Sequence, residues 1–292
     1  MLTAHGTSTR GSATFASRLV LERRFRVHAV ERTGTVWDSR FAPAVERADD
    51  GAWVIYVLDA GTLVWDDGPT FVGPSIFVAR ESELEGASGV RARTFRSHGE
   101  PLRSLELRIG AADLAEGTPL RTSLAAPPEL FGAGRELARA IEAERDATAP
   151  LRTLLEILHA RGILREDLAR TIVAKESEHI ERTWNAIRGM YRAITTNPSL
   201  TELASGAQVS VRQVARDFDD LQTTFPIHGD GWRSAIQTWR FRWAILLLSV
   251  AELRVLDVAE IVGYGSAEAM TNAFRTAGML PPTKIREALI AR

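Results

Sequence analysis

Hydrophobic positions change their rhythm along this chain. From Leu19 to Ile109 they come in short, β-branched and aromatic runs: Trp53 to Leu58, Thr62 to Trp65, Thr70 to Val72, Ile76 to Ala79, Val90 to Phe95 and Leu102 to Ile109. Turn residues separate the runs, among them Asp59-Ala-Gly61, Asp66-Asp-Gly-Pro69 and Gly73-Pro74. Closely spaced short strands with such turns predict an antiparallel sandwich or barrel, and Asp66-Asp-Gly68 is a hairpin signal. After Ala111 the period becomes helical: a segment from Glu129 to Ala147, a second carrying Leu151, Leu154, Leu155 and Leu158, and a third from Leu164 to about Thr195. Residues 1–18, rich in Thr, Ser, Gly and Ala, read as a mobile arm. The expected organisation is α+β in two domains: a flexible arm (1–18), an antiparallel β-barrel (19–110), a helical linker or dimerisation region (111–178) and an all-α domain (179–292). The leucines at 151, 154, 155 and 158 fit either an internal core or, slightly better, a dimer seam.

The all-α part contains two similar units. In the first, Asn197 is a candidate cap and Pro198 suits a first helical turn. Leu200, Leu203 and Ala204 form a short apolar face, Gly206-Ala207 lies near a turn, Val209 is an apolar plug and Ser210 caps a second helix. That helix buries Val211, Val214, Phe218 and Leu221 and leaves Arg212, Gln213 and Arg216 outside. A short helix, a tight turn and a second helix with exposed Arg and Gln is the geometry that enters a major groove, where Arg matches guanine edges and Gln matches adenine edges. The second unit runs from Leu256 to Arg275: a short helix over 257–262, a turn at Gly263-Tyr264-Gly265, a cap at Ser266, buried candidates Ala269, Met270, Ala273 and Phe274, and outward candidates Glu268, Thr271, Asn272 and Arg275. A longer helix from about Trp232 to Val250 joins the two. Its Arg240 suits either a phosphate or a nearby acid.

These residues resemble the AraC/XylS family of bacterial transcription regulators. The first unit's pattern is Leu203-Ala204, Val209-Ser210, Arg216 and Phe218. The joining helix carries Arg240, Phe241, Ala244, Leu247 and Leu248, the second unit Val258-Ala259 and Gly263-Tyr264, and the end Pro282, Ile285 and Arg286. The resemblance covers about the last third of the chain. It departs from the family pattern at Asn272, where an arginine is usual, at Met270, where an aromatic residue is expected, and in the spacing of Gly278 and Pro282. It implies a cupin-like N-terminal sensor, a helical dimerisation segment and a tandem helix-turn-helix module that binds promoter DNA through Ser210, Arg212, Gln213, Arg216, Arg240, Ser266, Glu268, Thr271, Asn272 and Arg275. A homodimer, a small-molecule effector and contact with RNA polymerase are further implications, and the expected location is the cytoplasm.

Charge tempers that picture. The formal net charge is -1, and from residue 197 onward ten basic residues face ten acidic ones. Attraction to phosphate then depends on where the cations cluster. The competing reading is a non-enzymatic cupin-type ligand-binding protein whose helical tail contacts a protein partner and not DNA. Enzyme chemistry has little to stand on. There is no cysteine, and the six histidines (His5, His28, His98, His159, His179, His228) form no His-x-His cluster of the kind a metal cupin needs. No Gly-x-Ser-x-Gly elbow or phosphate loop occurs, so no cofactor is expected. No apolar run approaches the roughly 20 residues of a membrane span. Trp37, Trp53, Tyr56, Trp65 and Phe77 sit in or beside the predicted strands as core or as candidate lining of a ligand cavity. Trp53 and Tyr56 fall on opposite faces of one strand, so at most one lines a given cavity.

Overall fold

A computed structural model describes residues 1–43, 51–64, 70–81, 101–173, 175–192, 198–227 and 229–290. The chain is α+β. Strands β1 (Leu2–Arg10), β2 (Ala13–Leu21), β3 (Phe25–Thr33), β4 (Ala52–Ala60), β7 (Ser75–Arg80) and β8 (Leu102–Gly110) form a six-stranded sheet in the order β1-β2-β3-β8-β4-β7, with β5 (Thr62–Val64) and β6 (Thr70–Val72) as a separate pair. Every described pairing is antiparallel. The predicted barrel is corrected to an open sheet whose edges are β1 and β7. The β7 edge is partly covered, because Ile76 and Leu124 exchange backbone hydrogen bonds of 2.9 and 2.8 Å. The predicted strand at Val90 to Phe95, the Asp66 to Gly68 turn and Trp65 lie outside the described residues.

The mobile arm is also corrected. Residues 2–10 and 13–21 are a β-hairpin closed by Gly11 at φ +59°, in register from Leu2↔Leu21 to Arg10↔Ala13. Its polar composition misled because its burial comes from tertiary partners far along the chain, and such context overrides local propensity. Leu2, Ala4, Leu19 and Leu21 pack with Ile180, Trp184, Ile187 and Met190, while Ala13 and Phe15 pack with Phe241, Trp243 and Ala244.

The sheet is covered on both faces, which explains runs such as Val54-Ile-Tyr-Val-Leu58 that are apolar at nearly every position rather than alternating. One face carries Phe25, Val27, Ile55, Val57, Ile76, Val78, Leu105 and Leu107. Helices α1 (Pro128–Glu142) and α2 (Thr148–Ala160) cover it. Leu151, Leu154, Leu155 and Leu158 are completely buried there, so the proposed leucine seam for a dimer is corrected: these side chains are core of the same subunit. The opposite face meets the C-terminal helices. The predicted helix from Leu164 to Thr195 is broken into a 3-10 turn at Leu168–Thr171, α3 (Glu178–Ile187) and α4 (Gly189–Arg192). Then follow α5 (Leu200–Ala207), α6 (Val211–Thr224), α7 (Gly231–Leu248), α8 (Val255–Ile261), α9 (Ala267–Thr276) and α10 (Pro282–Ile290). Two hydrophobic cores are thus shared between the N-terminal strands and the helical part. Hydrogen bonds cross the junction from Trp184 Nε1 to the Thr3 carbonyl (2.9 Å), from the Val36 amide to Ser249 Oγ (2.9 Å) and from Arg26 to the Pro226 carbonyl (3.2 Å). At the tightest point, a Cβ placed on Gly6 would lie 1.9 Å from the Tyr191 carbonyl oxygen.

Candidate nucleic-acid interface

The first helix-turn-helix unit is α5, a turn, and α6. Asn197 lies outside the described residues. The cap of α5 is Ser199, whose hydroxyl accepts from the Glu202 amide while Glu202 accepts from the Ser199 amide. This reciprocal capping box satisfies two orphan donors, and accepting both Ser199 donors holds the Glu202 carboxyl below its ordinary range. The Ser-x-x-Glu spacing was the missed signal. The turn residue in the left-handed conformation is Gln208 at φ +56°, not Gly206, and the Val209 amide then donates to the Ala204 carbonyl at 3.0 Å. Gln208→Gly should raise stability by about 1 kcal/mol, the cost of holding a side chain there; thermal denaturation checks it. Ser210 caps α6 by accepting from the Gln213 amide.

On α6, Val214, Phe218 and Leu221 are buried, whereas Val211 is 44% exposed and so is not the core residue expected. Arg212 and Arg216 are exposed and Gln213 is half-buried. All three lie in the first half of the helix, and the exposed acids Asp219 and Asp220 lie beyond them. The helix is electrically polarised along its length, with its cations at the end that contacts bases in such motifs.

The second unit is α8, a turn at Gly263 (φ +84°) and α9. Ser266 caps α9 by accepting from the Ala269 amide. Met270 and Phe274 are buried, but Ala269 is exposed, contrary to expectation. Its outward side chains are partly occupied. The Thr271 hydroxyl donates to the Ala267 carbonyl, and Asn272 Oδ1 accepts from Arg275 at 2.6 Å. Glu268 is exposed and offsets Arg275, so this face has no excess charge.

Arg240 is used locally. It donates to the Gly263 carbonyl at 3.0 Å and its guanidinium lies 5.0 Å from the Tyr264 ring centre. Burial lowers its pKa and raises that of Tyr264. Gln237 donates to the Tyr264 hydroxyl at 2.9 Å. These two α7 residues clasp the turn of the second unit. Arg286, singled out in the sequence only as part of a terminal pattern, donates to the Leu248, Val250 and Ala251 carbonyls. A cation there complements the C-terminal end of α7.

The other side of α7 faces the sheet. Trp239, Arg242, Trp243 and Leu246, at i, i+3, i+4 and i+7, line a cavity of 150 Å³ together with Phe15, Arg32, Trp37, Tyr56 and Glu106. A neighbouring cavity of 100 Å³ shares His28, Glu106, Trp239 and Arg242 with it. Of the aromatic residues expected to line a pocket, Trp37 and Tyr56 do. Phe77 is fully buried between the Tyr56 and Phe71 rings, with centroids 4.7 and 4.2 Å away. Trp53 lies on the opposite face, under Arg80. At the cavity wall, Arg32 Nε and Trp239 Nε1 are shut from solvent without an acceptor. Burial lowers the Arg32 pKa, and the charge of Glu106 works against that shift. Among the described residues no His/Asp/Glu group is placed to hold a metal ion, and no helix is long and apolar enough to cross a membrane.

No family model and no curated protein matches this chain. Solved structures give likenesses at low identity. ToxT from Vibrio cholerae is 10% identical over 90% of this chain and 98% of that one, with a TM-score of 0.34. The unsaturated fatty acid-bound wild-type ToxT from Vibrio cholerae strain SCE256 is 13% identical over 94% and 98%, with a TM-score of 0.33. The AraC-like transcriptional activator CuxR is 13% identical over 98% and 78%, with a TM-score of 0.18.

Proposed function

We propose that this chain is a sequence-specific DNA-binding transcription regulator of the AraC/XylS type, with residues 179–292 as the DNA-binding part and the sheet as sensor. The observation that carries the reading is the first unit: a capped α5, a left-handed turn at Gln208, and α6 presenting Arg212 and Arg216 from its capped end. Arg212 and Arg216 supply most of the affinity; Ser210 and Ser266 set the helix starts, and their hydroxyls are assigned to phosphate contacts. The second unit, through Glu268, Thr271, Asn272 and Arg275, adds less. Arg240 acts as its brace. Arg212→Ala combined with Arg216→Ala should abolish retardation of the DNA upstream of the gene in a mobility-shift assay with the circular dichroism spectrum unchanged. Retained affinity overturns the assignment.

Control enters through α7. One side of this helix walls the cavity and the other clasps Gly263 and Tyr264. A ligand that fills the cavity biases α7 and with it the relative placement of the two units, a population shift between arrangements that fit or miss paired half-sites. The unsatisfied donors of Arg32 and Trp239 suit a small apolar molecule that carries an acceptor or anionic group. Homodimerisation and contact with RNA polymerase belong to the same proposal. The second reading, a ligand-binding protein whose tail contacts a protein, draws on the tail's charge balance.

A further inference from the structure

The exposed face of α6 is not three independent side chains. Arg182 of α3 donates to Asp217 Oδ2 at 2.9 Å, Gln213 Nε2 donates to Asp217 Oδ1 at 2.6 Å, and Arg216 Nη2 donates to Gln213 Oε1 at 2.9 Å. Asp217 is only 2% exposed. Both of its oxygens therefore act as fixed acceptors, with Arg182 balancing the charge. An ionised carboxylate accepts and does not donate, so the Gln213 amide turns its NH2 inward and its carbonyl toward Arg216. The relay starts in a half-buried ion pair, whose carboxylate is the buried partner, and ends in an exposed guanidinium.

This ordering bears on what each side chain reads. A glutamine recognises adenine with both ends of its amide at once, while an arginine recognises guanine with two donors on one edge. Here the two ends of the Gln213 amide are tied along the helix, one to Asp217 and the other to Arg216. Arg216 spends one Nη2 donor on Gln213 and keeps the rest of its fork. The second unit lacks the device: Arg275 donates to Asn272, and the described residues include no carboxylate bonded to the Asn272 amide.

Resting on the DNA-binding reading above, we propose that Arg216 is the guanine-reading residue of the first unit and that Gln213 is not an adenine reader but a positioning residue, held by Asp217 and Arg182. Pre-ordering the guanidinium removes rotamer entropy that would otherwise be lost on binding.

The test is selection of the full chain on a pool of duplexes with a randomised core, followed by affinity measurement on the enriched site and its single-base variants. The wild type should enrich a guanine whose replacement weakens binding about tenfold or more. Arg216→Ala should level the preference at that position alone. Gln213→Ala should keep the same preferred bases everywhere and shrink the guanine preference several-fold. Gln213 is partly solvent-facing, so this variant should fold even where an Asp217 variant does not. Loss of an adenine preference in Gln213→Ala, or an unchanged guanine preference in Arg216→Ala, overturns the assignment while leaving DNA binding intact. Absence of any enrichment by the wild type overturns DNA reading itself.

Discussion

Replacing Gly6 by alanine should split the melting of this protein into two transitions. The wild-type chain should melt in one, because two of its hydrophobic cores are built jointly from the N-terminal strands and the C-terminal helices. The added methyl has no room: 1.9 Å from the Tyr191 carbonyl oxygen is far inside contact distance, and the obstacle is backbone. Neither β1, hydrogen-bonded to β2 over its whole length, nor the α4 turn at Tyr191 yields cheaply. Overpacking of this kind typically costs about 1–3 kcal/mol, and the strain falls on the junction rather than on either core's interior. Differential scanning calorimetry reads the outcome directly, since separation of cooperative units violates the two-state form. A single transition with an unchanged midpoint would mean that the junction contributes little.

The second large effect is expected in the opposite direction. Arg32→Met should stabilise the protein. Arg32 stands in a cavity walled by Trp37, Tyr56 and Trp243, its Nε has no acceptor, and burial disfavours its charge. Replacing buried charge by apolar bulk of similar volume is often neutral or stabilising by about 1–4 kcal/mol. A residue retained at such a cost is characteristic of functional sites, where stability is traded against activity. The variant should therefore unfold at a higher temperature and, on the function proposed above, lose any ligand-dependent change in DNA binding. A lower melting temperature would make Arg32 a structural residue and remove the cavity's claim to a polar ligand.

How far the sequence disclosed this arrangement depended on how local the determinants were. The helix-turn-helix units were readable because Ser210, Ser266 and Gly263 act within a few residues of themselves, as caps and turns. Strands β4, β7 and β8 were readable from β-branched runs. The β1–β2 hairpin was not, because Leu2 and Ala4 find their partners at Ile180 and Trp184, far along the chain. The leucines of α2 have helical period, but period does not tell a core from a dimer seam, and the sheet beneath them decided it. The cavity was only half visible. Tyr56 and Trp37 were picked out as strand aromatics, whereas Arg32 and the 239, 242, 243, 246 stripe of α7 gain meaning only once α7 lies across the sheet. Arg240 was left open between phosphate and acid, and its partners proved to be a carbonyl and an aromatic ring.

The tail's charge balance also looks different in three dimensions. Several of its cations are engaged within the chain: Arg240 with Gly263, Arg286 with the end of α7, and Arg254 with Asp257 at the surface, whose carboxyl that partner lowers to about 2. Arg212 and Arg216 remain exposed together on one helix, so a zero sum still leaves a locally positive patch on the face proposed to meet DNA. The most direct test of the central claim is therefore the salt dependence of binding to duplex DNA. The logarithm of the binding constant should fall linearly with the logarithm of salt concentration, with a slope of about −0.9 for each phosphate neutralised, and the Arg212→Ala, Arg216→Ala protein should show a shallower slope. A slope near zero for the wild-type chain would contradict the account and favour a protein partner for the helical tail.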